Sequence, residues 1–402
     1  LLRRAKELGD YLIVVVSTDE FNWNEKQKKW PVRRIILFAV LVLVVCLGVA
    51  AYVFRDSLNL DAARRFVRYL NVSGGGTDGQ FLFDAGNANQ YADFDGGLAV
   101  AGATGISTYE ADGSEFTVVQ EKLTTPAIAH AGKQVMAYDV GGYALHVIRA
   151  GKGSVLDVTA ERPILDADLA EDGSVCYSTS ESGYKSVLCI YNGNQALIYR
   201  RLSASQYLPI CAVNKGAAYV AAAALGQSGG AYETEIQIYR TDSEEMADSV
   251  SFGGELIYDL TFADEKTILA VGEQHARWYS TAGEQLGSYD YSDYYLKDFD
   301  FGGSGFLTLV LNMYQAGNRY QVTTVGAAGE ALGSLDFDEQ ILDFSAAGKY
   351  VAVLTAGQLR IYDNTMHLYA QTDNDAGATN VVQRTDGTVI LLGSGRAERY
   401  VP

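Results

Sequence analysis

One pattern recurs about every 40 residues along most of this chain: a strand, a glycine-containing turn, a strand, a looser hairpin, a third strand, a turn and a fourth strand. A four-stranded repeat of this length is typical of a β-propeller blade. The first turns of the repeats fall at residues 95–97, 131–133, 171–173, 214–216, 263–266, 302–305, 347–349 and 385–387. The third strands end near Tyr109, Ile148, Tyr191, Tyr239, Tyr279, Val325, Tyr362 and Tyr400, which gives the same count. The sequence therefore predicts an all-β, eight-bladed β-propeller, with seven blades as the alternative.

The turns and the two ends of the repeat region favour a closed ring. Asp-Gly and Gly-Gly pairs supply the positive φ that tight hairpins need. A solenoid would need shorter repeats, and a sandwich would not extend over roughly 320 residues as one domain. The last repeat, residues 378–402, contains three strands, while Gln80–Asp84 is a spare strand before the first repeat. Pairing them would complete the eighth blade and remove the open sheet edges.

An apolar segment precedes the repeats. Residues 35–54 read IILFAVLVLVVCLGVAAYVF and contain no charge. At about 1.5 Å per residue they would span about 30 Å of hydrocarbon, whereas a buried core helix would normally be shorter and keep a polar stripe. This predicts a transmembrane helix. The basic residues that crowd its N-terminal flank are Lys26, Lys28, Lys29, Arg33 and Arg34. This predicts a single-pass protein of the cell membrane with a cytoplasmic N-terminus and an extracytoplasmic propeller.

These features divide the chain into four predicted parts. Residues 1–34 form a cytoplasmic segment, 35–54 the transmembrane helix, 55–78 a juxtamembrane helix and Gly-rich linker, and 79–402 the propeller. The helix is predicted from apolar residues at helical spacing between Asp56 and Asn71. It could lie on the lipid surface, pair with a second copy or act as a simple spacer.

Composition excludes several classes of protein. Of the 402 residues, 49 are acidic and 31 basic, and the formal charge is −18. Nucleic-acid phosphates would be repelled by this charge, so no nucleic-acid partner is expected. A hydrophobic share of 48% excludes a disordered polyelectrolyte, and four cysteines are too few for a disulfide scaffold.

Aspartates and histidines are the residues whose side chains could bind a metal ion or take part in a reaction. Aspartates recur in pairs around the first strands of three blades: Asp93, Asp95, Asp166, Asp168, Asp298 and Asp300. They could line the central channel and hold a cation, or cap turns and satisfy backbone donors. Four histidines fall in different repeats, with no further His or Cys at metal-ligand spacing: His130, His146, His275 and His367. We therefore predict no catalytic residue, no metal site and no cofactor.

Two cysteines of the third repeat flank one hairpin. Cys176 and Cys189 are nearly symmetric about Ser182 and Gly183, so they could face each other on adjacent strands. A cross-strand disulfide and two buried thiols are both compatible with this spacing.

The anchor and ring together resemble a known but uncharacterised family. The chain resembles clostridial membrane proteins with a domain of unknown function. The segments that carry this resemblance are Tyr138–Gly142 (YDVGG), Ser180–Ser186 (SESGYKS), and residues 351–354 (VAVL) before residues 360–362 (RIY). The resemblance implies a WD40-like or quinoprotein-like propeller outside a Gram-positive cell. The Trp-Asp pairs of typical WD40 repeats and the docking tryptophans of quinoproteins are missing, so the resemblance implies no active site.

The first thirty residues resemble a different family. They are similar to an internal stretch of glycerol-3-phosphate cytidylyltransferase, the enzyme that makes CDP-glycerol for teichoic acids. The similar residues are 1–22, LLRRAKELGDYLIVVVSTDEFN, followed by KQKK at 26–29. The resemblance implies that Lys26 and Lys28 are vestigial contacts to nucleotide phosphates. The His-x-Gly-His motif of that family would precede Leu1, and the membrane segment replaces its later nucleotide-binding motif. We therefore expect a truncated or chimeric reading frame, with a genuine domain fusion as the alternative.

From these features we predict a membrane-anchored, extracytoplasmic propeller that binds or scaffolds a protein, a cell-wall polymer or a small ligand without catalysis. An envelope enzyme acting at the channel mouth is one alternative. A fusion to a glycerol-3-phosphate cytidylyltransferase of teichoic acid synthesis is the other.

Overall fold

A computed structural model describes residues 37–38, 40–42, 76–84, 86, 88–228 and 231–402. Residues 37–38 and 40–42 are helical and belong to the first of two units of the chain, Leu1–Arg64. Among the described residues no helix has the length and apolarity needed to cross a membrane. Most of the predicted transmembrane segment 35–54 and the whole predicted juxtamembrane helix lie outside the described residues.

The second unit, Arg65–Pro402, contains 32 described strands in eight four-stranded antiparallel sheets. The innermost strands are β2 (Gln90–Phe94), β6 (Pro126–Ala131), β10 (Asp166–Leu169), β14 (Tyr207–Val213), β18 (Ile257–Phe262), β22 (Tyr295–Asp300), β26 (Ile341–Ala347) and β30 (Asn380–Gln383). The second strands are β3 (Gly97–Gly102), β7 (Gln134–Asp139), β11 (Val175–Glu181), β15 (Tyr219–Ser228), β19 (Thr267–Gly272), β23 (Phe306–Asn312), β27 (Tyr350–Thr355) and β31 (Val389–Gly393).

The third and fourth strands complete the sheets outward. The third strands are β4 (Gly105–Tyr109), β8 (Ala144–Arg149), β12 (Tyr184–Tyr191), β16 (Ala231–Arg240), β20 (His275–Ser280), β24 (Tyr320–Gly326), β28 (Gln358–Asp363) and β32 (Arg396–Val401). The outermost strands are β5 (Glu115–Gln120), β9 (Gly153–Thr159), β13 (Leu197–Ser203), β17 (Met246–Gly253), β21 (Gln285–Asp290), β25 (Ala331–Phe337), β29 (Leu368–Asp373) and, for the eighth sheet, β1 (Gly76–Leu82). The prediction of an eight-bladed all-β propeller is confirmed, and we number its sheets as blades 1 to 8 from β2 onward.

The ring closes as predicted, through a strand from the start of the repeat region. β1 pairs antiparallel with β32, so blade 8 contains the chain order β30, β31, β32 and β1. β1 begins at Gly76, inside the segment predicted as a linker and three residues before the predicted start of the propeller. The backbone hydrogen bonds to β32 offset the entropy cost of ordering these glycines, and Gly79, at φ +66°, lies at the irregularity between Asp78 and Gln80.

Hydrophobic side chains fill the space between each pair of neighbouring blades. The described residues form eight buried clusters, and each joins two adjacent blades. At the closure, Leu98 and Val100 of blade 1 pack against Val382, Ile390 and Leu392 of blade 8. Because both faces of each sheet are covered, the second strands are buried on both sides, as β3 and β7 show.

Candidate functional site

The eight innermost strands surround a central channel of about 910 Å³. Each of these strands pairs with only one neighbour, so its other edge has no strand partner. A backbone N–H on such an edge needs another acceptor if it is shielded from water. The backbone N–H groups along the channel wall therefore need hydrogen-bond acceptors other than a neighbouring strand.

Aspartate side chains supply these acceptors, because they accept hydrogen bonds from backbone N–H groups of the next blade. Four of their Oδ2 atoms accept a backbone N–H of the following innermost strand: Asp166 from Cys211 at 2.8 Å, Asp168 from Val213 at 2.9 Å, Asp300 from Ala346 at 2.7 Å and Asp343 from Val381 at 2.8 Å. Asp166 also accepts the Tyr138 hydroxyl at 3.0 Å. The interpretation of these aspartates as acceptors for backbone donors holds for Asp166, Asp168 and Asp300, whose Oδ2 donors lie in the next blade. Asp300 Oδ1 also accepts the N–H of Gly302, in the turn after its own strand, at 2.7 Å.

The other predicted aspartates have different surroundings. Asp93 lines the channel, and its Oδ1 lies 3.0 Å from Nε of Arg384, which joins blade 1 to blade 8. Asp298 accepts the N–H of Phe299 at 2.9 Å. Asp95 lies in the turn after β2 at φ +47°, where it pairs with Lys133 at 3.0 Å. Neither Asp298 nor Asp95 lines the channel.

Burial in the channel raises the pKa of several of its aspartates. Desolvation raises the pKa of Asp168 to about 7 and that of Asp343 to about 6, although backbone N–H donors oppose the shift. The pKa of Asp259 is raised well above its ordinary value by burial and by the negative charge of Asp166. Near neutral pH, part of the channel is therefore protonated, which limits its negative charge. Among the residues that the structure describes, no three His, Cys, Asp or Glu side chains form a group able to hold a metal ion.

Sequence reasoning missed two of the channel aspartates, Asp259 and Asp343. Both stand at the third position of an innermost strand, but a threonine or serine replaces the second aspartate two residues later. Neither strand therefore contains the Asp-x-Asp pair that marks the other three blades. Aligning single aspartates by their distance from the first turn of each repeat would have found them.

The four histidines do not come together. His130 lines the channel. His146 pairs with Asp157 at 2.7 Å, and His275 pairs with Glu255 at 2.9 Å. His367 contacts the Thr365 hydroxyl at 2.7 Å. The last three histidines thus contact side chains of their own blade.

The suggestion that Cys176 and Cys189 face each other is wrong. Cys176 stands opposite Ile190, and Cys189 opposite Tyr177, because an irregularity after Thr179 shifts the register by one residue. A one-residue shift turns the two sulfur atoms toward opposite faces of blade 3. Cys176 Sγ instead lies 3.4 Å from Cys211 Sγ of blade 4, and burial raises the pKa of both thiols.

Lys26 and Lys28, the residues assigned to nucleotide phosphates by resemblance, lie outside the described residues. Their predicted role stays a prediction.

Exposed tyrosines collect at one end of the ring. We call this end, where the innermost strands begin, the tyrosine face. In the described part of the chain, seven tyrosines are between 41% and 70% exposed: Tyr143, Tyr184, Tyr207, Tyr232, Tyr258, Tyr295 and Tyr314. Each lies at the start of an innermost or third strand, or in a loop that precedes a third strand, so all seven lie at this end.

The opposite end, where the first turns lie, pairs several of its charges. Lys133 contacts Asp95 at 3.0 Å, and Lys215 contacts Glu171 at 2.9 Å, each joining neighbouring blades. The two ends of the ring differ in their aromatic surface, since all seven exposed tyrosines of the described residues lie at the tyrosine face.

The comparisons with known proteins match this architecture. The model described as "Family of unknown function (DUF5711)" matches residues 79–399. Among solved structures, the C-terminal WD40 domain of Sif2 superposes with a TM-score of 0.57 at 13% identity, covering 82% of this chain and 100% of that one. The Dos1 propeller gives a TM-score of 0.54 at 9% identity, covering 81% and 94%. At these identities the likeness shows the propeller fold alone.

Curated relatives match over a short stretch only. Glycerol-3-phosphate cytidylyltransferase of Bacillus subtilis (strain 168) is 72% identical over 41 residues, which is 9% of this chain and 31% of the enzyme. The enzyme of Bacillus spizizenii is 76% identical over 29 residues, 7% of this chain and 22% of the enzyme. The chain therefore spans less than a third of the curated relatives it matches.

Proposed function

Because the chain belongs to the DUF5711 family of unknown function, we propose its function from the surface of its fold: a membrane-anchored, extracytoplasmic propeller that binds a protein partner through the tyrosine face. The observation that carries this proposal is the collection of seven exposed tyrosines at one end of the ring. No catalytic step is required of it.

Tyrosine suits a protein interface for physical reasons. Its ring buries a large apolar area, its hydroxyl keeps a hydrogen bond, and its two χ angles cost little entropy on binding. Tyrosine is accordingly enriched among the residues that dominate binding energy. A rigid ring of packed blades would hold these side chains in place before the partner arrives, which lowers the entropy cost of association.

The sequence supports the membrane part of the proposal. Residues 35–54 are uncharged and apolar, and basic residues cluster before them. Residues 55–402 carry 23 basic and 44 acidic side chains, and this negative charge would keep the propeller away from anionic lipid headgroups. The tyrosine face would then stay available to a protein in the envelope.

One observation favours a second candidate, an envelope enzyme acting at the channel mouth. The pKa values of Asp168 and Asp343, about 7 and about 6, lie in the range useful for general acid–base catalysis. Both carboxylates, however, already accept a backbone N–H that holds two blades together. A glycan-hydrolysis screen on the full chain, with Asp168→Asn and Asp343→Asn as controls, tests this candidate. Activity that both substitutions abolish would support it.

The activity of the curated cytidylyltransferases is not part of the proposal. The match covers at most 31% of those enzymes.

Site-specific photocrosslinking in cells tests the binding proposal. A photoreactive phenylalanine analogue replaces Tyr207 or Tyr232 on the tyrosine face, and Leu286 or Leu368 at the starts of outermost strands near the opposite end, in the full-length protein. All four side chains are between 48% and 70% exposed, so the positions are matched in access. The proposal predicts one discrete crosslinked protein from the first pair and none from the second. Equal crosslinking at both ends, or crosslinks only near the opposite end, would contradict it.

A further inference from the structure

We propose that a depression between blades 5 and 6 on the tyrosine face binds the ammonium group of a lysine side chain on the protein partner. The depression has a volume of about 360 Å³ and lies among Tyr258, Glu273, Asp293, Tyr294 and Tyr295. It is separate from the central channel. The inference rests on the proposed function and assigns a chemical preference to one part of that face.

The depression is held in shape by hydrogen bonds beneath it. Tyr291 is buried, and its hydroxyl donates to the carbonyl oxygen of Gly272 at 2.6 Å. Its backbone N–H donates to the carbonyl of Gln274 at 2.9 Å, and its carbonyl accepts the N–H of Tyr294 at 2.9 Å. The Gln274 N–H in turn donates to Glu255 Oε2 at 2.8 Å. The loop between the blades is thereby fixed to the turn of blade 5, so the walls exist before a ligand binds.

Two exposed tyrosines form part of these walls. Tyr258 is 48% exposed and Tyr295 is 51% exposed, although each stands in an innermost strand. Tyr258 falls at an irregularity in the pairing of β18 with β19, between Ile257 and Asp259. A tyrosine ring face attracts a cation placed within about 6 Å of its centre.

Two carboxylates on the rim of the depression add negative charge. Glu273 and Asp293 are both exposed. Within the described ranges, neither has a Lys or Arg nitrogen within the 4.0 Å of an ion pair, unlike Glu171 at the opposite end, which Lys215 neutralises. The charge of Glu273 also acts on the Tyr258 hydroxyl, since together with burial it raises the pKa of that phenol. Tyrosine faces and unpaired carboxylates attract the same kind of group, a cation.

The geometry favours a primary ammonium group. A lysine ammonium has three donors and stays strongly hydrated, so it suits an open depression whose carboxylates lie on a wet rim. Its four-carbon stem is apolar and can pack along a tyrosine ring and Leu296, which also lines the site. A buried cage of several aromatics would instead favour a quaternary ammonium.

Saturation-transfer NMR on the full-length protein tests the inference with defined probes. The lysine probe is acetyl-Gly-Lys-Gly-amide, and its neutral counterpart has norleucine in place of lysine. We expect the lysine peptide to bind at least about fivefold more tightly, with the strongest transfer to its terminal methylenes. The double variant Glu273→Gln/Asp293→Asn should remove this preference.

Variants at the aromatic wall separate the ring from the hydroxyl. Tyr258→Leu should weaken lysine-peptide binding about threefold, whereas Tyr258→Phe should keep it within about twofold, because the ring face attracts the cation. Leu286→Ala, at a side chain near the opposite end that is 48% exposed like Tyr258, is the matched control and should have no effect. Thermal unfolding of each variant shows that the ring is intact.

Several outcomes would overturn the inference. They are equal binding of the lysine and norleucine peptides, full lysine preference in the Glu273→Gln/Asp293→Asn variant, or tighter binding of choline or an arginine peptide than of the lysine peptide.

If the peptides fail to bind while Tyr207 and Tyr232 still crosslink a protein, the depression has another role and the proposed function stands. If crosslinking at the tyrosine face also fails, the proposed function fails with it.

Discussion

The central channel and the tyrosine face differ in whether their polar groups already have partners. In the channel, Asp166 and Asp168 accept backbone N–H groups of the next blade. On the tyrosine face, Glu273 and Asp293 have no Lys or Arg partner within ion-pair distance in the described part of the chain. The channel carboxylates hold the ring together, whereas Glu273 and Asp293 of the face are available to another molecule.

This difference shows why a group of titratable residues is weak evidence for a binding site. Burial raises the pKa of several channel aspartates, as it often does in active sites. A raised pKa also arises when a carboxylate is buried so that it accepts hydrogen bonds from a strand edge that has no strand partner. The hydrogen-bond partners, rather than the pKa values, therefore distinguish the two regions.

Removing a channel carboxylate should have the largest effect on stability. Asp166→Ala leaves the Cys211 N–H and the Tyr138 hydroxyl without their acceptor, and each unsatisfied buried donor costs about 1–3 kcal/mol. Asp293→Ala, on the tyrosine face, should change the free energy of unfolding by less than about 0.5 kcal/mol. Urea denaturation of the full chain measures both. A small loss for Asp166→Ala would contradict the structural role of the channel.

The pH dependence of stability should be a smaller effect than the loss in Asp166→Ala. It should also distinguish the central channel from the tyrosine face. The pKa of Asp168 is about 7 in the folded protein and near 3.8 ordinarily, so the folded state binds more protons between these values. The stabilisation is fully present below about pH 4 and is lost as the pH rises through about 7. Asp168→Asn keeps an oxygen for the Val213 N–H but cannot ionise. We expect it to be more stable than wild type at pH 8, by up to about 4 kcal/mol, since roughly three pKa units at about 1.4 kcal/mol each separate the folded from the ordinary pKa.

Thermal unfolding between pH 5 and 8 measures this effect. The Glu273→Gln variant is the matched control and should keep the wild-type slope. A slope in Asp168→Asn that is as steep as in wild type, or steeper, would show that the Asp168 carboxyl does not titrate as described.

Ionic strength should have the smallest effect, and only on the tyrosine face. Raising NaCl from 50 to 500 mM screens exposed charges, so lysine-peptide binding at the depression should weaken about two- to threefold. The stability supplied by Asp166 should hardly change, because its two donors, the Cys211 N–H and the Tyr138 hydroxyl, are uncharged. Binding that is insensitive to salt would remove the electrostatic part of the account.

The fold could be predicted largely because its determinants are local and repeat. The Asp-Gly turn at 172–173 and the strand-ending Tyr191 recur in equivalent form in other repeats, and the structure places each in the predicted position. The start of β1 at Gly76 could not be predicted, because glycines in that segment have no strand propensity of their own. Their order comes from pairing with β32, more than 300 residues away in the chain.

The sites were less predictable, because they depend on contacts between repeats. The partner of Asp168 is Val213 in the next blade, and no local spacing indicates it. One irregularity after Thr179 was enough to separate Cys176 from Cys189. The tyrosine face was not foreseen either, although strand starts such as Tyr184, Tyr207 and Tyr295 could have been recognised once the blades were aligned.

The most direct test compares the two regions in one binding measurement with the protein captured by crosslinking. Affinity is measured for full-length wild type, Tyr207→Ala/Tyr232→Ala and Asp168→Asn/Asp343→Asn. We expect the tyrosine variant to lose at least about tenfold in affinity and the aspartate variant to stay within about twofold of wild type. A tenfold loss in the aspartate variant, with unchanged binding by the tyrosine variant, would place the binding site in the channel and contradict the account.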